Sequence, residues 1–147
     1  VEVTASELLD ALRRSNLRIT ASRRAICEIL AADHHSHLTA GELLERVNQQ
    51  LGAKVAPSTI YRTIDALEAE GLVRHLHLGA GPAVLHLAED STHHHLVCES
   101  CGRTVDIDTG AFDTTIGLVA KRNHFVPETV HYALLGRCEA CVAKIAN

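Results

Sequence analysis

The chain of 147 residues suffices for one domain or two small ones, and a formal charge of −4 at neutral pH excludes a uniformly basic nucleic-acid binder. Apolar residues make up 46% of it, but with two Phe, two Tyr and no Trp a core must rest on Leu, Val, Ile and Ala. No stretch approaches the ~18–20 apolar residues of a membrane span, and no charged start leads into an apolar segment, so a soluble, cytoplasmic protein is expected.

The first part of the chain reads as helices. Thr4-Ala5-Ser6-Glu7 fits a capping box ahead of Leu8, Leu9 and Leu12. Thr20 can cap a second helix bearing Ile26, Ile29 and Leu30, and Thr39-Ala40-Gly41-Glu42 is a second capping box before Leu43, Leu44, Val47 and Leu51. Pro57 suits the first turn of a fourth helix with Ile60, Ile64 and Leu67 inward, and Gly71 stops it. Leu72–Leu78 and Ala83–Leu87, around Gly79-Ala80-Gly81-Pro82, then predict a β-hairpin. Helices followed by a hairpin predict a winged helix-turn-helix over residues 1–88. Its fourth helix turns Ser58, Thr59, Arg62 and Asp65 outward with Tyr61 at the boundary, which suits either a groove reader or an ordinary amphipathic helix.

Residues 89–147 form a second unit of mixed α and β structure, so the class expected is α+β. His93–Cys98 and Thr104–Asp108 read as strands, Thr109 as the cap of a helix with Phe112, Ile116, Val119 and Ala120, and Val126–Leu135 as a last strand. Its exposed strands call for cover, and a second copy of the chain is a natural solution. The residues before 88 include nine basic and ten acidic, those after it five and eight. Any DNA contact therefore needs local clustering, as in Arg13, Arg14, Arg18, Arg23 and Arg24, a group that a solvated helix face explains as well.

Two C-x-x-C pairs, Cys98/Cys101 and Cys138/Cys141, carry the clearest chemistry. Each pair can turn two sulfurs to one point, and together they complete a tetrahedral all-sulfur shell for structural zinc. Disulfides need an oxidising compartment, and a thioredoxin-like site needs one such pair rather than two. In a small domain this zinc can supply roughly 10–16 kcal/mol of apparent binding free energy. Cys27 is left over, as a partly buried helix residue.

Eleven histidines exceed what a core requires. His93 and His95 share one side of a strand, with His94 on the other, and His75 and His77 repeat that spacing on the first wing strand. Each pair is half a metal site, and His37, His86 and His131 stand at element edges where they can complete one. His34, His35 and His124 read as surface residues.

Taken together, Arg18-Ile19-Thr20…Arg23, Ser58-Thr59-Ile60-Tyr61-Arg62-Thr63, Gly71-Leu72-Val73, His93-x-His95-x-x-Cys98-x-x-Cys101-Gly102 and Gly136-x-Cys138-x-x-Cys141 resemble the Fur (ferric uptake regulator) family of bacterial metal-dependent transcription regulators. The resemblance runs in order from about residue 8 to Cys141. It implies a homodimer of winged-helix DNA-binding domains (residues 1–88) joined to zinc-stapled dimerisation domains (residues 89–147), with double-stranded operator DNA as partner. It also implies a regulatory metal of His37, His86, His93 and His95, and DNA contacts at Tyr61 and Arg62. Asp106 stands where peroxide-sensing members place a ligand, but Leu87 occupies that branch's other carboxylate position. A further family site falls on Thr92, His94, Asp113 and Val130 and is poorly kept. His75, His77 and His131 are similar to the three-histidine site of the nickel-responsive branch. Nitrogen donors favour Ni²⁺, Zn²⁺ or Cu²⁺ over Mn²⁺, and nickel leads by resemblance, with zinc and iron close behind.

The function expected is a metal-activated repressor controlling metal homeostasis, with a peroxide-sensing regulator of the same family as an alternative. Three histidines with an open position also describe catalytic zinc, but no helical H-E-x-x-H and no evident general base accompany them, so no enzyme is expected. A metal-storage or chaperone protein accounts for the histidines but not for Tyr61, Arg62 and the wing.

Overall fold

Reciprocal side-chain caps start the first and third helices. In the computed structural model, which describes residues 3–32, 38–76, 81–88, 93–127 and 132–145, Thr4 Oγ1 accepts from the Glu7 backbone N–H, while the Glu7 carboxylate accepts from Thr4 N–H. This box opens α1 (Ala5–Arg14). Thr20 Oγ1 accepts from Arg23 N–H at the start of α2 (Ala21–Ala32). A two-residue strand that the sequence did not announce, β1 (Leu38–Thr39), leads into the Thr39/Glu42 box of α3 (Ala40–Leu51). The Val55 N–H donates to Asn48 Oδ1 (2.7 Å), and Pro57 then opens α4 (Pro57–Ala69). Gly71, at φ +73°, takes the left-handed turn that leads out of α4 and that a side chain would strain. The wing strands are β2 (Val73–Leu76) and β3 (Val84–Leu87); with β1 they make an antiparallel sheet of order β1-β3-β2. Leu72 of the expected Leu72–Leu78 strand precedes β2, and residues 77–80 lie outside those described.

These elements belong to one compact unit, Val1–His77 with Pro82–Asp90. Leu8, Leu12, Ile26, Leu43, Val47, Ile60, Ile64 and Leu67 are all at most 1% exposed and form its centre, closed by Val73, Leu85 and Leu87 from the sheet. Each such side chain contributes about 1.5–3 kcal/mol on burial. Cys27 is fully buried rather than partly so. The helical stripes read from the sequence point inward for this reason.

The second unit is Leu78–Gly81 with Ser91–Asn147. In it β4 (His93–Cys98) pairs antiparallel with β5 (Thr104–Asp108), and α5 (Thr109–Arg122) follows. Asp108, not Thr109, caps α5: its Oδ1 accepts from Gly110 N–H at 2.8 Å. The last strand, β6 (Ala133–Gly136), lies parallel to β4 and is much shorter than the expected Val126–Leu135. Phe125–Pro127 is irregular, and 128–131 lie outside the described residues. A helix the sequence reading missed, α6 (Glu139–Ile145), ends the chain. Seven residues carrying one metal-type cysteine, with none of them buried, gave no helical stripe to read.

Among the described residues this unit buries few apolar side chains: Val97, Cys98 and Ala120. By contrast Leu96, Val105, Leu118, Val119, Phe125, Leu134, Leu135, Val142 and Ile145 are exposed. No described helix is long and apolar enough to cross a membrane.

Candidate metal centres and nucleic-acid interface

The sheet of the second unit assembles the four cysteines. Cys98 ends β4, and its register partner on β6 is Gly136, which sets Cys138 two residues beyond the same sheet end. Glu99 N–H donates to the Gly136 carbonyl at 2.8 Å and ties the two knuckles together. Cys101 closes a tight turn whose exit, Gly102 at φ +74°, returns its N–H to the Cys98 carbonyl. Cys141 lies in the first turn of α6. All four sulfurs fall within 4.8 Å of one another, and Cys101 Sγ and Cys138 Sγ are 3.8 Å apart. A tetrahedral zinc with Zn–S bonds of ~2.3 Å needs sulfurs about 3.8 Å apart, so this donor set fits that ion.

The local electrostatics agree. The Cys138 backbone N–H donates to Cys98 Sγ (3.3 Å), and that contact, with a further one at Cys101, brings the Cys98 thiol down to about 6. Cys141 is pushed up to about 12 by the neighbouring sulfurs of Cys138 and Cys101. Four thiolates cannot share so small a volume without a cation, and a dication removes the conflict.

The candidate histidines are held by their Nδ1 atoms. In the first unit His86, on β3 and 5% exposed, places Nδ1 2.7 Å from the Leu87 carbonyl. A carbonyl only accepts, so Nδ1 carries the proton and Nε2 the lone pair. His75 on β2 sets Nδ1 2.6 Å from Glu68 Oε1 of α4. In the second unit His95, fully buried on β4, sets Nδ1 2.8 Å from Asp106 Oδ1 of β5. Its ring meets that of His93 edge-on, with centroids 4.8 Å apart. Metal-binding histidines characteristically donate their second ring N–H to a carboxylate or carbonyl in this way. Asp106 thus stands behind His95, a role the sequence gave no means of separating from that of a ligand. His37, His77 and His131 lie outside the described residues.

His94 behaves differently. Tyr132 N–H donates to its Nδ1 (3.1 Å) and its Nε2 meets Asp113 Oδ1 (2.9 Å), so both nitrogens are used within the unit. Phe112 and Tyr132 flank the ring. This buried imidazole binds α5 and the approach to β6 to β4.

On α4, Ile60, Thr63, Ile64 and Leu67 are buried, leaving Ser58, Tyr61, Arg62 and Asp65 exposed and Thr59 half-buried. Tyr61, at 54% exposed, lies fully on the outer face rather than at its boundary. Of the early arginines, Arg23 Nη1 donates to the Arg18 carbonyl (2.7 Å) and Arg14 Nε to Glu70 (2.8 Å), while Arg18 and Arg24 are exposed. Arg23 therefore shapes the loop that presents Arg18.

Residues 14–134 match the model of the ferric uptake regulator family. The ferric uptake regulation protein of Legionella pneumophila is 30% identical over 130 residues, covering 88% of this chain and 95% of that protein. The crystal structure of the Vibrio cholerae ferric uptake regulator superposes with a TM-score of 0.69 at 28% identity, over 88% of this chain and 98% of that one. The Helicobacter pylori regulator shares the fold at TM-score 0.77 and 18% identity, over 96% and 95% of the two chains. The winged helix and the cysteine-clustered α/β unit therefore place this chain in the ferric uptake regulator family of metal-responsive regulators.

Proposed function

We propose that the protein is a metal-activated repressor that binds palindromic operator DNA as a homodimer and governs the homeostasis of nickel or, failing that, zinc or iron. The observation that carries this reading is the shared tautomer of His75, His86 and His95. Each directs Nδ1 to an internal acceptor, so that Nε2 carries the lone pair in the neutral ring.

On this reading His37, His86, His93 and His95 hold one regulatory ion and His75, His77 and His131 another. Zinc on Cys98, Cys101, Cys138 and Cys141 acts as a permanent staple. Each regulatory ion supplies a coordination sphere that needs imidazoles from both units, and so favours the one arrangement in which they meet. Arg18, Ser58, Thr59, Tyr61 and Arg62 then face DNA: hydroxyls and guanidinium groups toward phosphates and base edges, on a helix of major-groove dimensions. Arg23 supports Arg18. The exposed apolar side chains of the second unit suit the face of a second copy, which sets two α4 helices one DNA turn (~34–36 Å) apart. Linkage requires DNA to tighten metal binding by the factor that metal tightens DNA binding.

The test is fluorescence anisotropy with a duplex selected from a random pool, using protein with its cysteine zinc retained and titrated separately with Ni²⁺, Zn²⁺, Fe²⁺ and Mn²⁺. Ni²⁺, Zn²⁺ or Fe²⁺ should raise DNA affinity, and His75→Ala, His77→Ala or His131→Ala should abolish that rise while leaving a folded zinc dimer. DNA binding indifferent to every metal would refute the proposal.

A further inference from the structure

Glu68 sits on α4, seven residues after Tyr61 and therefore on the same exposed stripe as Tyr61 and Asp65, about 10 Å along the axis. Its Oε1 accepts twice from one residue of the wing: from the backbone N–H of His75 at 3.0 Å and from the ring Nδ1 at 2.6 Å. No functional signal marked this residue in the sequence. The two side chains are each about one-third exposed, and ion pairs so open to water contribute little to folding. What the contact does fix is chemistry. An exposed imidazole samples both tautomers and rotates; this one is held in the Nδ1–H form with its backbone and ring clamped to one oxygen.

We propose that Glu68 is a positioning residue for metal capture at His75, aiming Nε2 as the coordinating nitrogen and strengthening it as a donor. The same carboxylate fastens that ligand to the helix presenting Tyr61 and Arg62. A gain of order at His75 is thereby delivered to α4 through one side chain. The inference rests on the reading of His75 as a regulatory ligand. Carboxylates in this position behind metal-binding histidines typically govern metal affinity by 10–100-fold.

The experiment uses the full chain with its cysteine zinc in place and Ni²⁺ as probe, comparing wild type with Glu68→Ala, Glu68→Gln and His75→Ala. Ni²⁺ affinity is measured by competition with a chromophoric chelator, and the His75 tautomer in the nickel-free protein by ¹⁵N imidazole NMR. Glu68→Ala should weaken Ni²⁺ about 10–100-fold and mix the His75 tautomers. Glu68→Gln, which keeps an acceptor but not the charge, should hold the Nδ1–H form and weaken Ni²⁺ less; it also serves if the alanine variant does not fold. Should His75→Ala lose the site while both Glu68 variants bind Ni²⁺ within twofold of wild type, Glu68 has no such role and the ligand reading survives. Should His75→Ala also bind normally, both fall.

Discussion

Removing the zinc proposed for the four cysteines should unfold the second unit and leave the first intact. Among its described residues the second unit buries three apolar side chains, Val97, Cys98 and Ala120, of which Val97 is the largest. A fully buried valine contributes about 1.5–3 kcal/mol, whereas a structural zinc contributes roughly 10–16 kcal/mol of apparent free energy. Zinc thus outweighs the local apolar term several-fold. The first unit, centred on Leu8, Leu12, Ile26, Leu43, Ile60, Ile64 and Leu67, has no such dependence. Cys141→Ser, or quantitative zinc removal by a strong chelator, should collapse the amide NMR signals of residues 93–145 to random-coil positions. Signals of 5–69 should stay dispersed, and light scattering should report loss of the proposed dimer. A zinc-free protein that kept a dispersed second unit and the mass of the proposed dimer would refute the argument, because packing within the unit and against a second copy would then suffice without the ion.

Other outcomes follow from single contacts. Ile64→Ala, at a fully buried position on α4, should cost about 2–5 kcal/mol in urea denaturation, with the m-value unchanged. Thr39→Ala removes the cap of α3 and should cost about 0.5–2 kcal/mol. The backbone N–H and hydroxyl of Thr39 hold the Glu42 carboxyl below its ordinary value. That interaction is present at neutral pH and lost as pH falls through the folded-state value, so in Thr39→Ala the Glu42 titration followed by NMR should move upward. Burial pushes the Cys27 thiol up to about 12. Its thiolate is scarce at pH 8, so mass spectrometry should find Cys27 unmodified by iodoacetamide in the native protein and modified at once in denaturant.

The sequence made the winged helix legible because its stripes face one apolar centre: the Leu8, Ile26, Leu43 and Ile60 periodicities each meet the others there. The cysteine cluster was legible for a different reason, since metal geometry dictates ligand spacing directly. Where burial is thin the reading faltered. The strand expected at Val126–Leu135 shortened to β6, and α6 went unseen, because neither has a buried face to impose a period. The carboxylate partners of the histidines were the least accessible: Glu68 and Asp106 are brought to their rings by helix packing and hairpin register, and local spacing encodes neither.

β4 carries Cys98 at one end and His93 and His95 toward the other, six residues from first to last. A slip of the cysteine end along its neighbours would displace both imidazoles with it, since the backbone between them is one continuous ladder. An ion that is gained and lost with cellular supply can be gauged only against a frame that does not itself exchange. On the proposed function, with zinc at the cysteines and the regulatory ion at the histidines, the staple must therefore release its metal far more slowly than the gauge does, and the two time constants, more than the two affinities, decide whether the strand can serve as an instrument.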